Sequence, residues 1–556
     1  MNSLLGHLSA TAVRSSSKSL HKMGIITNNK VRGMSYNNNT TPKILFPQSA
    51  GFEIIDAYKV KDVFNWVYQF KLPLFYSNPA LGSIKVVAKI TQLYEKSTKE
   101  SRSQGPVFTK DDKLMTFLQG GPGFPSGTPM AKDGFVGALL DKGYTVVNYD
   151  QRGTGLSTPL EYHTLMALGK QLKHSEIMDN DVENYLQLIK CFRADSIIND
   201  CEQIRKILFK HDPLQKWSIQ GQSYGGFCCH TYMSFYPDSL DEVLMTGGIP
   251  GIGKSVDDVY EATYKRTIER NAHYFAKYPQ DIKKMKAIVK YLYHNEVVLP
   301  NGGKLTVQRF QQCGLSFGGS GGTDRIHQLV FKFYNELETF GFATYNTLTT
   351  VQDFLGFDTN VIYALFQEAI YLDGPGMSSN WSADRLRYSE DHCELFAVEK
   401  HVGKFDDPAW LEDDDIRVFF TGEMVFKSMF DDYSELQPFK KLAYAIHTDD
   451  QWSNIYDPAT LHKVYDSWTT YYQKDLLLPK SSPKKVSKQD VKIIKVAAAI
   501  YYNDQYVDFK LSQHTIEQQM GSIRTYVTSE FFHNGLSAGT KTVMDRLFGL
   551  LDEEVD

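Results

Sequence analysis

The chain has 556 residues, a formal net charge of −5 and a pI near 6.3, with 42% hydrophobic and 22% charged residues. This is an ordinary globular composition, and its slight acidity excludes the extended basic face that nucleic-acid binding needs. Its 6 cysteines are too few for a disulfide scaffold and lack metal-ligand spacing, and no run of about 18 apolar residues suggests a membrane span.

Buried free thiols in a reducing, intracellular compartment are therefore expected, the cytoplasm first. The segment from Met1 to Gly51 lacks any acidic residue and carries Arg14, Lys18, Lys22, Lys30, Arg32 and Lys43 among Ser, Thr and Asn. Two readings stay open: a mitochondrial transit peptide, or an Asn-rich leader with no address. No sustained apolar stretch follows the first charges, so a secretory signal is not expected.

From Phe64 to Thr91 apolar and polar residues alternate around β-branched and aromatic ones, which predicts opening strands. Short apolar runs at Leu114–Leu118, Tyr144–Tyr149, Trp217–Gln220 and Glu242–Thr246 predict four more, with a helix at Ala194–Phe209 between the second and third. Strands alternating with helices imply a mainly parallel sheet with flanking helices. From about Ser255 to His447 the pattern turns to amphipathic helix rich in Tyr and Phe. Strand signals return at Val491–Tyr502 and at Arg524–Thr528, after a Lys/Ser/Pro loop at Lys480–Lys488. The expected organisation is a leader over 1–50, a core over 51–250 and 448–556, and a helical cap over 251–447.

The run Gly221-Gln222-Ser223-Tyr224-Gly225, followed by Gly226, lies between a strand and a helix and has the form of a nucleophile elbow. Such a turn must be abrupt for the Ser hydroxyl to project from the sheet edge, and glycines two positions either side remove Cβ clashes. The following helix N-terminus brings free N–H groups and positive potential. Gln119-Gly120-Gly121-Pro122-Gly123 follows the Leu114–Leu118 strand, where an acyl-transfer enzyme needs an oxyanion donor. Tyr224 N–H and Gly121 N–H are the expected pair, with Gly120 the alternative. The α/β-hydrolase fold with a large helical cap follows as the fold class. Acid and base should come later in the chain, in that order. Asp504 ends the strand run Ile500–Asn503, His533 lies in the loop after Arg524–Thr528, and Asp508 is the rival acid. The glycine-rich run Gly318-Gly319-Ser320-Gly321-Gly322 lacks the Lys-Ser/Thr of a phosphate loop, and Asp257 and Asp258 after Ser255 read as helix capping.

Together these blocks resemble the proline iminopeptidase (prolyl aminopeptidase) family of serine peptidases over roughly Phe52 to Leu550. The Gln119–Gly123 run resembles the family's His-Gly-Gly-Pro-Gly loop, with Gln119 departing from the His. Asp150-Gln151-Arg152-Gly153-Thr154-Gly155-Leu156-Ser157 resembles its Asp-Gln-Arg-Gly-x-Gly-x-Ser run. Phe366–Tyr371, Ser379–Trp381 and Phe420–Met424 have counterparts in the long-cap branch. The resemblance implies a Ser223, Asp504, His533 triad, no metal or organic cofactor, and removal of an N-terminal residue, proline first, from small peptides. By the same resemblance Glu368 foremost, and Glu423 after it, hold the substrate's α-ammonium. Gln505 stands where some members carry a Glu. An esterase or amidase of the same fold is the second reading, and a silent binding protein the third.

Overall fold

The computed structural model describes residues 51–173, 181–464, 494–520 and 523–552. The leader and the Lys480–Lys488 loop therefore lie outside the described residues. Among the described residues one sheet of nine strands forms, in the spatial order β1-β2-β3-β5-β4-β6-β7-β8-β9. The strands are β1 (Phe52–Val60), β2 (Val63–Pro73), β3 (Ser83–Leu93), β4 (Leu114–Leu118) and β5 (Thr145–Asp150). They continue with β6 (Trp217–Gln222), β7 (Leu240–Thr246), β8 (Lys495–Tyr501) and β9 (Arg524–Thr528). β1, β2, β3 and β5 pair antiparallel in turn, and from β5 through β4, β6, β7 and β8 to β9 every pairing is parallel.

Burial follows the pairing. All residues of β4 and β5 are buried, as expected of strands covered on both faces by crossover helices. β1, with no neighbour on its outer side, is exposed or half-exposed along its whole length. Helices Ala194–Leu208 and Tyr224–Phe235 pack against one face with Ile197, Ile204, Trp217, Phe227 and Met233 in the core between them. A second cluster on the other side gathers Met115, Val146, Leu244, Ala497 and Leu547. Between β7 and β8 the described chain runs through helices from Val256–Lys277 to Lys440–Thr448 and contributes no strand to the sheet. This is the helical insertion of the fold class. Among the described residues no helix is long and apolar enough to cross a membrane. The six cysteines are free, with all but Cys191 buried.

The Asp150–Ser157 run proves to be a structural clamp. The buried Arg152 guanidinium uses all its N–H donors. It makes a paired contact with Asp200 (2.8 and 2.5 Å), and the rest go to the carbonyls of Leu74, Cys191 and Pro73. Asp150 binds Lys89 and accepts from Ser126 N and Leu156 N. Gln151 Nε2 donates to the Gln119 carbonyl at 3.0 Å, so the clamp also holds the glycine loop after β4.

Candidate active site

Ser223 joins β6 to the helix Tyr224–Phe235 with φ 56° and ψ −125°, a left-handed conformation that a side-chain-bearing residue rarely adopts. The strain is held from both sides. Ser223 N donates to Thr246 O at the end of β7 (3.0 Å), and Gly226 N donates to Ser223 O (2.7 Å). Gly225 is required by close approach, because a Cβ there would collide with the Leu118 carbonyl at the end of β4. A Cβ on Gly120 would come within 2.9 Å of Ser223 Cβ, so the glycine loop lies directly against the elbow. Tyr224 opens the helix, where its N–H has no intrahelical acceptor.

Asp504, fully buried three residues past β8, accepts from Tyr506 N (2.8 Å) and Val507 N (3.1 Å) on one carboxylate oxygen. The other oxygen meets His533 Nδ1 at 2.8 Å. The rival Asp508 is occupied elsewhere. It caps the helix Phe509–Thr515 by accepting from Lys510 N and Leu511 N, and pairs with Arg266 at 3.3 Å. Burial disfavours the His533 imidazolium, but Asp504, and Glu423 after it, outweigh burial and raise its pKa above the ordinary value. Gln222 spans elbow and base loop: its Oε1 accepts from the Thr246 hydroxyl (2.6 Å) and its Nε2 donates to His533 O (3.3 Å). The Tyr506 ring stands against the imidazole, with centroids 4.7 Å apart.

The two cap glutamates part company. Glu368 is fully buried, and both its oxygens are engaged at the start of the helix Ser382–Leu386. They accept from Ser382 N (3.1 Å) and Ala383 N (3.0 Å), and Oε2 also meets His447 Nδ1 at 2.9 Å. Glu368, expected to lead in holding a substrate amine, thus has its carboxylate at the N-terminus of a buried helix. Glu423 is half-buried beside the Asp504–His533 pair, and Tyr363 Oη donates to it at 2.5 Å. Burial, with Asp504 adding to it, pushes its carboxyl up to about 7 against the opposing pull of His533, Tyr363 and Gln367. Asp258 caps the helix Val256–Lys277 in a reciprocal box with Ser255, as its spacing implied. Asp257 bonds the Ser382 hydroxyl and Arg385 instead.

Residues 113–301 match the family described by the alpha/beta hydrolase fold. A proline iminopeptidase of Aeromonas sobria is 35% identical over 444 residues, covering 79% of this chain and 88% of its own length. The chain belongs to the proline iminopeptidase family. A proline iminopeptidase of Aspergillus aculeatus is 32% identical over 494 residues, 88% of this chain and 94% of that one. The solved proline iminopeptidase of Mycobacterium smegmatis aligns over 87% of this chain and 97% of its own, at 11% identity and a TM-score of 0.33, too loose to carry any part of the assignment.

Set among the proline iminopeptidases, the departures have physical explanations. Gln119 replaces a His, yet the loop is held through the main-chain carbonyl of residue 119 by Gln151, whatever side chain stands there. Gln505 is buried and donates to the Thr267 hydroxyl at 3.0 Å, beside Gly422, so it brings no charge to the site. Gln222, Tyr363, Gln367 and Tyr506 are site residues that sequence reasoning missed. Tyr363 and Gln367 had a findable signal, since residues four apart share a helix face and Gln367 immediately precedes a singled-out Glu. Gln222 had none.

Proposed function

We propose that this chain is a serine aminopeptidase that removes an N-terminal residue, proline first, from small peptides. His533 takes the proton of Ser223 as the hydroxyl attacks the carbonyl carbon, and Asp504 holds the imidazole tautomer that leaves Nε2 free to accept it. The N–H groups of Gly121 and Tyr224 stabilise the tetrahedral oxyanion. The imidazolium then protonates the leaving amine, and water, deprotonated by the same His533, releases the acyl group. Glu423, in place of Glu368, binds the substrate's α-ammonium by a charge-assisted hydrogen bond.

The observation that carries this reading is a carboxylate, Glu423, standing beside the Asp504–His533 pair without belonging to it. A general esterase has no use for a second carboxylate beside the base, whereas an enzyme that selects free N-termini needs one, because an unpartnered ammonium is costly to desolvate. The names of the relatives support proline as the residue removed. A panel of aminoacyl arylamides, an N-blocked prolyl arylamide and an amine-free ester tests the assignment. Fast turnover of free prolyl arylamide with rejection of the blocked one is the expected pattern, and equal turnover of all three overturns it. Ser223→Ala should cost at least about 10³-fold in kcat while leaving the fold intact.

A further inference from the structure

The glycine-rich run of the insertion, which carries no nucleotide fingerprint, has a use at the other end of the site. Three of its main-chain donors are engaged: Gly319 N donates to Ser316 O, Gly322 N to Gly319 O, and Ser320 N to the Asn534 side chain at 2.9 Å. Asn534 is equally out of character. It precedes the helix Gly535–Ala538 as N-cap, a position where an Asn oxygen ordinarily accepts from its own helix, yet it makes no such bond. Its Oδ1 is turned across to the insertion, accepting from both Ser320 N and Ser320 Oγ (3.1 Å).

Two more ties join the same turn to the same loops. His533 N donates to Gly318 O at 3.1 Å. Tyr506, whose N–H binds Asp504 and whose ring stands against the His533 imidazole, donates its hydroxyl to Leu315 O. Gly318 lies so close to that ring that any side chain there would drive Tyr506 aside. One turn of the insertion thus grips the residue beside the acid, the main chain of the base, and the residue after the base.

We infer that the turn Leu315–Gly322 is a positioning element for His533 and acts through Asn534 and Tyr506. The inference rests on the reading of His533 as the base. β8 and β9 deliver Asp504 and His533 to one edge of the sheet, but the loop after β9 is fixed in orientation by the insertion. The insertion therefore serves catalytic geometry as well as substrate choice.

Steady-state kinetics of Asn534→Ala in the full-length protein, on the alkaline plateau where His533 is neutral, test it. The expected result is a kcat lower by about 10- to 100-fold, the scale of an ångström-sized misplacement, with KM within about three-fold. The far-downfield proton resonance of the His533–Asp504 hydrogen bond should broaden or vanish. Asn534→Asp keeps the acceptor for Ser320 and should recover most of kcat on that plateau. A kcat for Asn534→Ala within about two-fold of native, or an unchanged downfield resonance, overturns the inference. Tyr506→Phe cuts the second tie and predicts the same loss in kcat, so a poorly folding Asn534 variant still leaves the clamp open to refutation. His533→Ala separates the two layers. If it retains activity, the base assignment fails. If it is inactive while Asn534→Ala and Tyr506→Phe run at native speed, only the clamp fails.

Discussion

Replacing Glu423 by Gln removes one charge at nearly constant size and leaves an oxygen to accept from Tyr363, so it isolates the electrostatic role of the carboxylate. The folded protein raises this carboxyl from 4.5 to about 7. A raised acid favours its neutral form in the fold: the stability it contributes is complete below the unfolded value and is lost as pH rises through about 7. At about 1.4 kcal/mol per pKa unit, the ionised carboxylate costs the native enzyme up to about 3 kcal/mol at alkaline pH. Chemical denaturation should therefore find Glu423→Gln more stable than native by up to that amount near pH 9, and close to native near pH 4. Activity should move the other way. For a free prolyl arylamide kcat/KM should fall by about 2–4 kcal/mol, the usual loss on removing one member of a desolvated charge pair, while an amine-free ester should be hydrolysed almost as before. Glu423 also helps to raise the pKa of His533, so the acid limb of ester hydrolysis should shift to lower pH in the variant. Equal losses on both substrates would show that Glu423 shapes the site without binding the amine, and an undiminished prolyl rate would end its assignment altogether.

Asp504→Asn should lower kcat by about 10⁴-fold by favouring the wrong imidazole tautomer, whereas Asp508→Asn should leave kcat near native and cost about 1 kcal/mol of stability as a weakened cap; the reverse ranking would reassign the acid. Glu368→Ala should destabilise the protein by about 3–5 kcal/mol, because it leaves two buried N–H groups without their acceptor and His447 with Ser379 Oγ alone at Nδ1. In the fraction that folds it should depress amide and ester hydrolysis alike. Asp200→Ala strands the buried Arg152 guanidinium and should also cost about 3–5 kcal/mol, read by denaturant unfolding, with the KM of the folded enzyme unchanged.

The parts of the fold that read most clearly were those governed by local physics. The segments that become β4, β5 and β6 are short apolar runs, and their predicted limits differ from the observed ones by two residues or fewer. β1 escaped, because an edge strand exposed along its length keeps Asp56 and Lys59 among its aromatics and shows no clean alternation. The elbow was legible for a similar reason. Gly225 must approach the Leu118 carbonyl and Ser223 must take a positive φ, and those demands write glycines at fixed offsets.

Order along the chain supplied Asp504 and His533 as a candidate pair, and the strand tip favoured Asp504 over Asp508 without showing the contact. Both are acidic, four residues apart, and end up capping main-chain N–H groups; only the arrival of His533, 29 positions later, distinguishes them. The motif that ranked Glu368 over Glu423 was equally silent on their surroundings. A motif records that a carboxylate is present and is silent on where it points; Glu368 meets the N-terminus of Ser382–Leu386, while Glu423 meets Tyr363. The sequence by itself determined the short strands of a mainly parallel sheet, the sharp turn at Ser223 and the residue types the chemistry requires, because each follows from steric or periodic rules acting over a few residues. Only the tertiary structure decided which carboxylate faces His533 and which turn of the insertion holds it, because those depend on hydrogen bonds joining residues hundreds of positions apart, such as His533 with Gly318 and with Gln222, and no local rule encodes the partner.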